Sequence, residues 1–181
     1  MAMDLMLDAV VICGKSQKPN FSMNLDVLSP NGHKSVADEQ KAKAIFLRNF
    51  SEYNYIETHK DKSADVDAFL TKDSVIQAII ETKCRYDVTL EEFKERYKGQ
   101  WLITFDKLER AKVLAKILQV DVVGFLYLVQ SETLLVQKII DGGEYVGRIV
   151  IEKTKTQKTI NGGTAERVNA FIDMTQARSL K

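Results

Sequence analysis

Glu81-Thr82-Lys83 ends one of the most apolar runs of the chain, Ala78-Ile79-Ile80, with a carboxylate and an ammonium two positions apart. In a strand, side-chain direction repeats every two residues, so Glu81 and Lys83 share one face. A polar pair leaving the end of a buried strand needs a partner. Asp65 and Asp67 supply it if the segments on either side of 71–74 fold back on each other. Two gathered carboxylates form an oxygen site for a hard divalent cation such as Mg²⁺. With a lysine beside it, such a site has the parts that phosphodiester cleavage requires: a polarised phosphate, an activated water and neutralisation of developing charge. Lys83 orients or deprotonates the water, or stabilises negative charge without acting as a base; the sequence leaves these roles open. The ordinary alternative for Asp67, Glu81 and Lys83 is a salt-bridge cluster on the surface of a sheet.

The elements that must position these residues follow from local pattern. Thr71-Lys72-Asp73-Ser74 has turn chemistry and joins a predicted strand over 64–70, with Asp65 and Asp67 on one face, to a second over 75–85. The pair should form an antiparallel hairpin. Upstream, Ser35-Val-Ala-Asp38 has the form of a capping box and predicts an amphipathic helix over 39–50, then a partly solvated strand over 53–59. Residues 14–34, with Gly14, Pro19, Pro30 and Gly32, read as an irregular arm.

Downstream, Thr89-Leu90-Glu91-Glu92 fits a second capping box and opens a short helix closed by Gly99. Residues 101–103 read as a short buried strand or extended link. Thr104 is the expected N-cap of a helix over 105–118, where Leu108, Ala111, Ala115 and Leu118 recur at helical spacing. Two apolar runs, 122–129 and 134–140, predict another hairpin ending at Asp141-Gly142-Gly143. The stretch 145–160 then reads as extended and increasingly basic. Asn161-Gly162-Gly163, a short helix and a frayed tail complete the chain.

The order of helix, Asp-bearing strand, turn and Glu-x-Lys strand, with Asp67…Glu81-Thr82-Lys83 at its centre, resembles the PD-(D/E)xK nuclease superfamily over 35–130. Val66 stands where some members carry a proline before the aspartate. The resemblance implies an α/β, restriction-endonuclease-like fold, in which helices flank a mixed sheet built on a helix, a three-stranded antiparallel unit, a second helix and another strand. It implies Asp67 and Glu81 as metal ligands and Lys83 as a catalytic residue. The first-helix glutamate of many members corresponds to Glu39, with an ordinary charged helix face as its alternative. Asp65 is a second or substitute ligand, or solvated turn polarity. The implied activity is that of an Mg²⁺- or Mn²⁺-dependent nuclease, with DNA the expected substrate. The phrase Glu-Thr-Lys-Cys-Arg, the later Trp-Leu-Ile-Thr and the Lys107 helix are similar to virus-associated and exonuclease-like members, which implies a viral protein acting in a host cell. The alternative is a non-catalytic nucleic-acid-binding or assembly protein that keeps the same fold.

Nucleic-acid contact has to come from local clusters, because 26 basic against 25 acidic side chains leave a formal charge of only +1. Arg85, Lys107, Arg110 and Lys112 are candidates to approach a phosphate backbone. Lys107 falls in the first turn of its helix, where the dipole disfavours a cation, which suggests an external purpose for its charge. Lys153, Lys155 and Lys158 form either a ridge toward DNA or RNA or the solvated lysines of an edge strand. Trp101 and Phe105 are either base-stacking groups or core residues. His33 and His59 lack the clustered partners of a zinc site.

The 181 residues, 45% hydrophobic, suffice for one core and are short for two domains. The expected organisation is an N-terminal strand and irregular arm over 1–34, a nuclease-like core over 35–140 and a basic extension over 141–181. Cys13 and Cys84, the only cysteines, argue against a disulfide framework. Asp4 and Asp8 stand where a secretory signal places positive charge, and no run is as long and apolar as a membrane span. An intracellular, cytoplasmic protein without a membrane partner is expected. The apolar 122–140 region suits either a homo-oligomer edge or an ordinary core.

Overall fold

In the computed structural model, which describes residues 30–59, 64–155 and 166–181, the chain begins with a helix, α1 (Pro30–Asn49). Three strands follow: β1 (Asn54–Glu57), β2 (Ala68–Lys72) and β3 (Val75–Arg85). Then come α2 (Leu90–Glu95), β4 (Gln100–Thr104), α3 (Phe105–Leu118), β5 (Asp121–Leu128) and β6 (Thr133–Asp141). β7 (Glu144–Tyr145), β8 (Ile149–Lys155), β9 (Glu166–Asp173) and β10 (Arg178–Leu180) end the described chain. The architecture is mixed α/β, with a mixed seven-stranded sheet flanked by helices. Its order is β1-β2-β3-β5-β6-β10, with β7 on β6, and a second sheet runs β4-β9-β8.

β3 and β5 are parallel, whereas the other pairs in both sheets are antiparallel. Parallel neighbours need a long crossover, and α2, β4 and α3 provide it. β3 is buried on both faces, as its apolar run requires. Ala78, Ile80 and Cys84 pack with Ala42, Ile45 and Phe46 of α1. Ile79 packs on the opposite face with Leu108, Ala111 and Ala115 of α3 and with Trp101, Ile103 and Ile172 of the second sheet. The alternation carries Glu81 and Lys83 to this α3 face, as the strand period required.

The β2–β3 hairpin turns on Asp73 and Ser74, both left-handed at φ 51° and 64°, the pairing a two-residue hairpin demands. The Thr89 capping box is complete: its hydroxyl accepts from the Glu92 amide at 3.2 Å, and the Glu92 carboxylate accepts from the Thr89 amide at 2.9 Å. The β5–β6 hairpin and the bounds of α3 also follow the pattern read from the sequence. Among the described residues, no helix is long and apolar enough to cross a membrane.

Four expectations need correction. Helix α1 starts at Pro30, not near 39, because proline lacks only an amide that the first turn leaves unpaired anyway. Asp38, expected in a cap, is instead buried within the helix and accepts from Lys41 at 2.7 Å. β2 starts at Ala68, so Asp65 and Asp67 lie in bends ahead of the strand and not on one strand face. Finally, the expected closing helix is strand β9, in which Asn169, Ala170, Ile172 and later Met174 are buried between β4 and β8, and the tail pairs with β6 through β10, burying Leu180.

Candidate active site

β3 outruns β2. The ladder between them ends at Ala68 and Ile80, and one further backbone bond joins Asp67 N–H to the Ile80 carbonyl at 3.1 Å. On its other side the Asp67 carbonyl accepts from the Thr58 amide at 3.0 Å. Beyond that point the Thr82 amide of β3 has no strand facing it, and the Asp67 side chain takes the place of one: Oδ2 accepts from Thr82 N–H at 2.7 Å. This bond fixes the Asp67 carboxylate beside Glu81.

Lys107 completes the group. Its Nζ donates to Asp67 Oδ1 at 3.0 Å and pairs with Glu81 Oε1. Glu81 is 3% exposed, and its second oxygen, Oε2, is buried with no hydrogen-bond partner among the described residues. Burial first, and the Asp67 carboxylate second, push the Glu81 carboxyl up to about 8, with Lys107 opposing. Burial also works against the charge on Lys107, but Glu81 and Asp67 outweigh it and hold the ammonium above its ordinary range.

These side chains surround a cavity of about 210 Å³. Ser35 and Glu39 of α1 line it, with Thr82, Lys83 and Cys84 of β3 and the stretch Trp101 to Thr104. The wall against Glu81 is Trp101. Gly124 pairs with Glu81 in the parallel register, and a Cβ on Gly124 would lie 3.1 Å from Trp101 Cη2, so the indole covers the sheet next to the carboxylate. Trp101 is 1% exposed, which assigns it to the core and not to base stacking.

The structure gathers Asp67, Glu81, Lys83, Glu39 and Lys107 around one cavity and places Asp65, Arg85, Arg110, Lys153 and Lys155 elsewhere. Lys83 is exposed at the cavity and makes no side-chain ion pair with the described residues. Asp65, expected near the ligands, points outward to Arg110 at 3.1 Å, both side chains more than half exposed. Lys107, expected to face a phosphate backbone, turns inward. Arg85 is half-buried on β3, where burial lowers its pKa and Tyr97 opposes this. Lys153 pairs with Glu166 at 2.6 Å along exposed β8, Lys155 is exposed at the end of the same strand, and Lys158 lies outside the described residues.

The inward direction of Lys107 has a signal in the sequence. Lys107 is four positions before Ala111 and next to Leu108, hence on the apolar stripe of α3. A lysine on a buried stripe requires a carboxylate opposite. The bond from Asp67 to the Thr82 amide had no such signal.

The donor set suits a hard cation: two carboxylates, one of them with a buried oxygen that no group among the described residues satisfies. Mg²⁺ commonly takes only one or two protein carboxylates and fills its remaining positions with water and phosphate. Among the described residues, no three of His, Cys, Asp and Glu form a metal-holding group, so Asp67 and Glu81 would carry the ion. The scan against protein-family models and the search of curated proteins return no match for this chain.

The Glu81 shift has a stability consequence. Its folded value of about 8 lies above the ordinary 4.5, so between these values the folded state holds a proton that the unfolded chain releases. The stabilisation is fully present below pH 4.5, declines as pH rises to about 8 and levels off above. Melting in a chelator should therefore show stability falling from pH 5 to 8 by an amount on the order of a few kcal/mol. Glu81→Gln should flatten this slope. A wild-type slope that the substitution leaves unchanged would assign it to another group.

Proposed function

We propose that this chain is a metal-dependent nuclease of the PD-(D/E)xK kind, hydrolysing phosphodiester bonds, with DNA as its substrate. The observation that carries the reading is the convergence of Asp67 and Glu81 on one cation position, inside a cavity whose rim holds Lys83. The order α1, antiparallel β1-β2-β3, α3 and parallel β5 supports it, since it follows the core order of that superfamily with α2 and β4 inserted.

When bound, Mg²⁺ or Mn²⁺ supplies Lewis-acid polarisation of the scissile phosphate. Asp67 and Glu81 hold the ion, and the Thr82 amide fixes the orientation of Asp67. Glu39, on α1, contributes a carboxylate to the cavity lining. Lys83, exposed at the rim, holds water or substrate oxygen by donating from its ammonium. Trp101 excludes bulk water from Glu81, which strengthens every charge interaction there. The lysines of β8 offer a screened attraction to the phosphate backbone.

A second reading, a non-catalytic nucleic-acid-binding or assembly protein, is favoured by one observation: Lys107 pairs with both carboxylates from within the protein. Defined single-stranded, duplex and branched substrates, incubated with Mg²⁺ or chelator, separate the two. The nuclease reading expects metal-dependent product that falls roughly a hundredfold or more in Lys83→Ala. The second expects metal-independent binding that weakens with salt and yields no product.

A further inference from the structure

Asp67 and Glu81 already hold a cation. The Lys107 ammonium is 3.0 Å from Asp67 Oδ1 and pairs with Glu81 Oε1, the two carboxylates that a divalent ion would use. A divalent ion bridging Asp67 Oδ1 and Glu81 Oε1 would sit between the same two oxygens as the ammonium, so the two cannot occupy that position together.

The geometry also gives the ammonium somewhere to go. Lys107 has a flexible four-carbon stem, its side chain is 28% exposed, and it borders the same cavity. It sits in the first turn of α3, where the helix dipole does not favour a cation. Glu81 Oε2 is the oxygen that Lys107 leaves unsatisfied. A lysine can donate to one oxygen of each carboxylate, whereas an ion with waters in its coordination shell can satisfy both oxygens of Glu81.

We infer that Lys107 is a resident counter-ion which a divalent cation must displace, so that ion-pairing by Lys107 and metal binding at Asp67 and Glu81 are mutually exclusive. The inference rests on the metal-site reading above. It makes Lys107 a positioning residue that sets metal affinity: it holds the empty carboxylates together and restricts the site to ions able to outcompete an ammonium.

Mn²⁺ binding to wild type and to Lys107→Met, measured by calorimetry with melts in chelator alongside, is the test. If the arrangement with Lys107 turned away holds about a tenth or less of the metal-free population, removing the competitor tightens Mn²⁺ binding roughly tenfold or more. The same variant should melt lower in chelator and gain more from Mn²⁺ than wild type does. Wild-type binding with an unchanged or weakened constant in Lys107→Met overturns the inference and leaves the metal site standing. No Mn²⁺ binding by either protein overturns both. Should Lys107→Met fail to fold, lysine-labelled wild type gives the answer by NMR. The Lys107 ε-methylene resonance is expected to move to a solvent-exposed position as Mg²⁺ saturates the protein, and a resonance that stays in place overturns the inference.

Discussion

Glu81→Gln should leave a folded protein whose metal-dependent cleavage is reduced about a thousandfold or more, equivalent to roughly 4 kcal/mol of transition-state stabilisation. The substitution preserves volume and resembles the protonated carboxyl that burial favours below about pH 8. At neutral pH its cost in stability should therefore stay within about 1 kcal/mol, since Lys107 keeps its bond to Asp67. Folding and activity thus separate in one variant. Circular dichroism melts in chelator, together with single-turnover cleavage in Mg²⁺, measure both. A variant that cleaves at the wild-type rate would remove Glu81 from the site, whereas one that fails to fold would assign it a structural role.

Gly124→Ala should have the largest effect on stability of any single methyl addition near the site. Its Cβ would overlap Trp101 Cζ3 and lie 3.1 and 3.2 Å from Cη2 and Cε3, so the indole, 1% exposed in the core, has to shift. Overpacking of this kind costs about 1–3 kcal/mol, or roughly 2–4 °C of melting temperature for each kcal/mol in a chain of this size. Because Gly124 pairs with Glu81, the displaced indole also opens the wall beside the carboxylate, so cleavage should fall with stability. Trp101→Phe removes the atoms that collide. In a double-mutant cycle, Gly124→Ala should therefore cost less in the Trp101→Phe background than in wild type. Strict additivity would show that the indole does not respond to Gly124.

These two positions also show what the sequence conveys and what it withholds. Glu81 and Lys83 are readable as a pair because strand period is local, and the neighbouring Ala78-Ile79-Ile80 run fixes which strand they end. The Asp73-Ser74 turn and the Thr89 capping box are likewise local chemistry. Gly124 within an apolar strand gives no hint of Trp101, which arrives from β4 across the fold. The second sheet is hidden for the same reason: Trp101 pairs with Ile172. Periodicity tells a residue's face, not its partner. The distance in sequence to Glu81 points to Asp67, yet Asp67 stands in a bend ahead of β2 and bonds through its side chain to the Thr82 amide where no strand faces it. Exposure is the usual state of a lysine, and a buried Glu81 with a half-buried Asp67 reverses it for Lys107.

The charge balance inside the cavity connects these points. Two carboxylates share one lysine under an indole, and the deficit of positive charge appears as a raised Glu81 pKa and an unsatisfied Glu81 oxygen. A divalent cation bound there would correct both, and the same deficit explains why stability in chelator should decline toward pH 8.

The most direct test of the central claim is cleavage of end-labelled single-stranded and duplex DNA by wild-type protein, in Mg²⁺ and in chelator at matched ionic strength, with Glu81→Gln alongside. The metal-site account expects product only from wild type and only with Mg²⁺. Salt-sensitive binding of these DNAs with no product under any divalent ion, or product that persists in chelator, would contradict it.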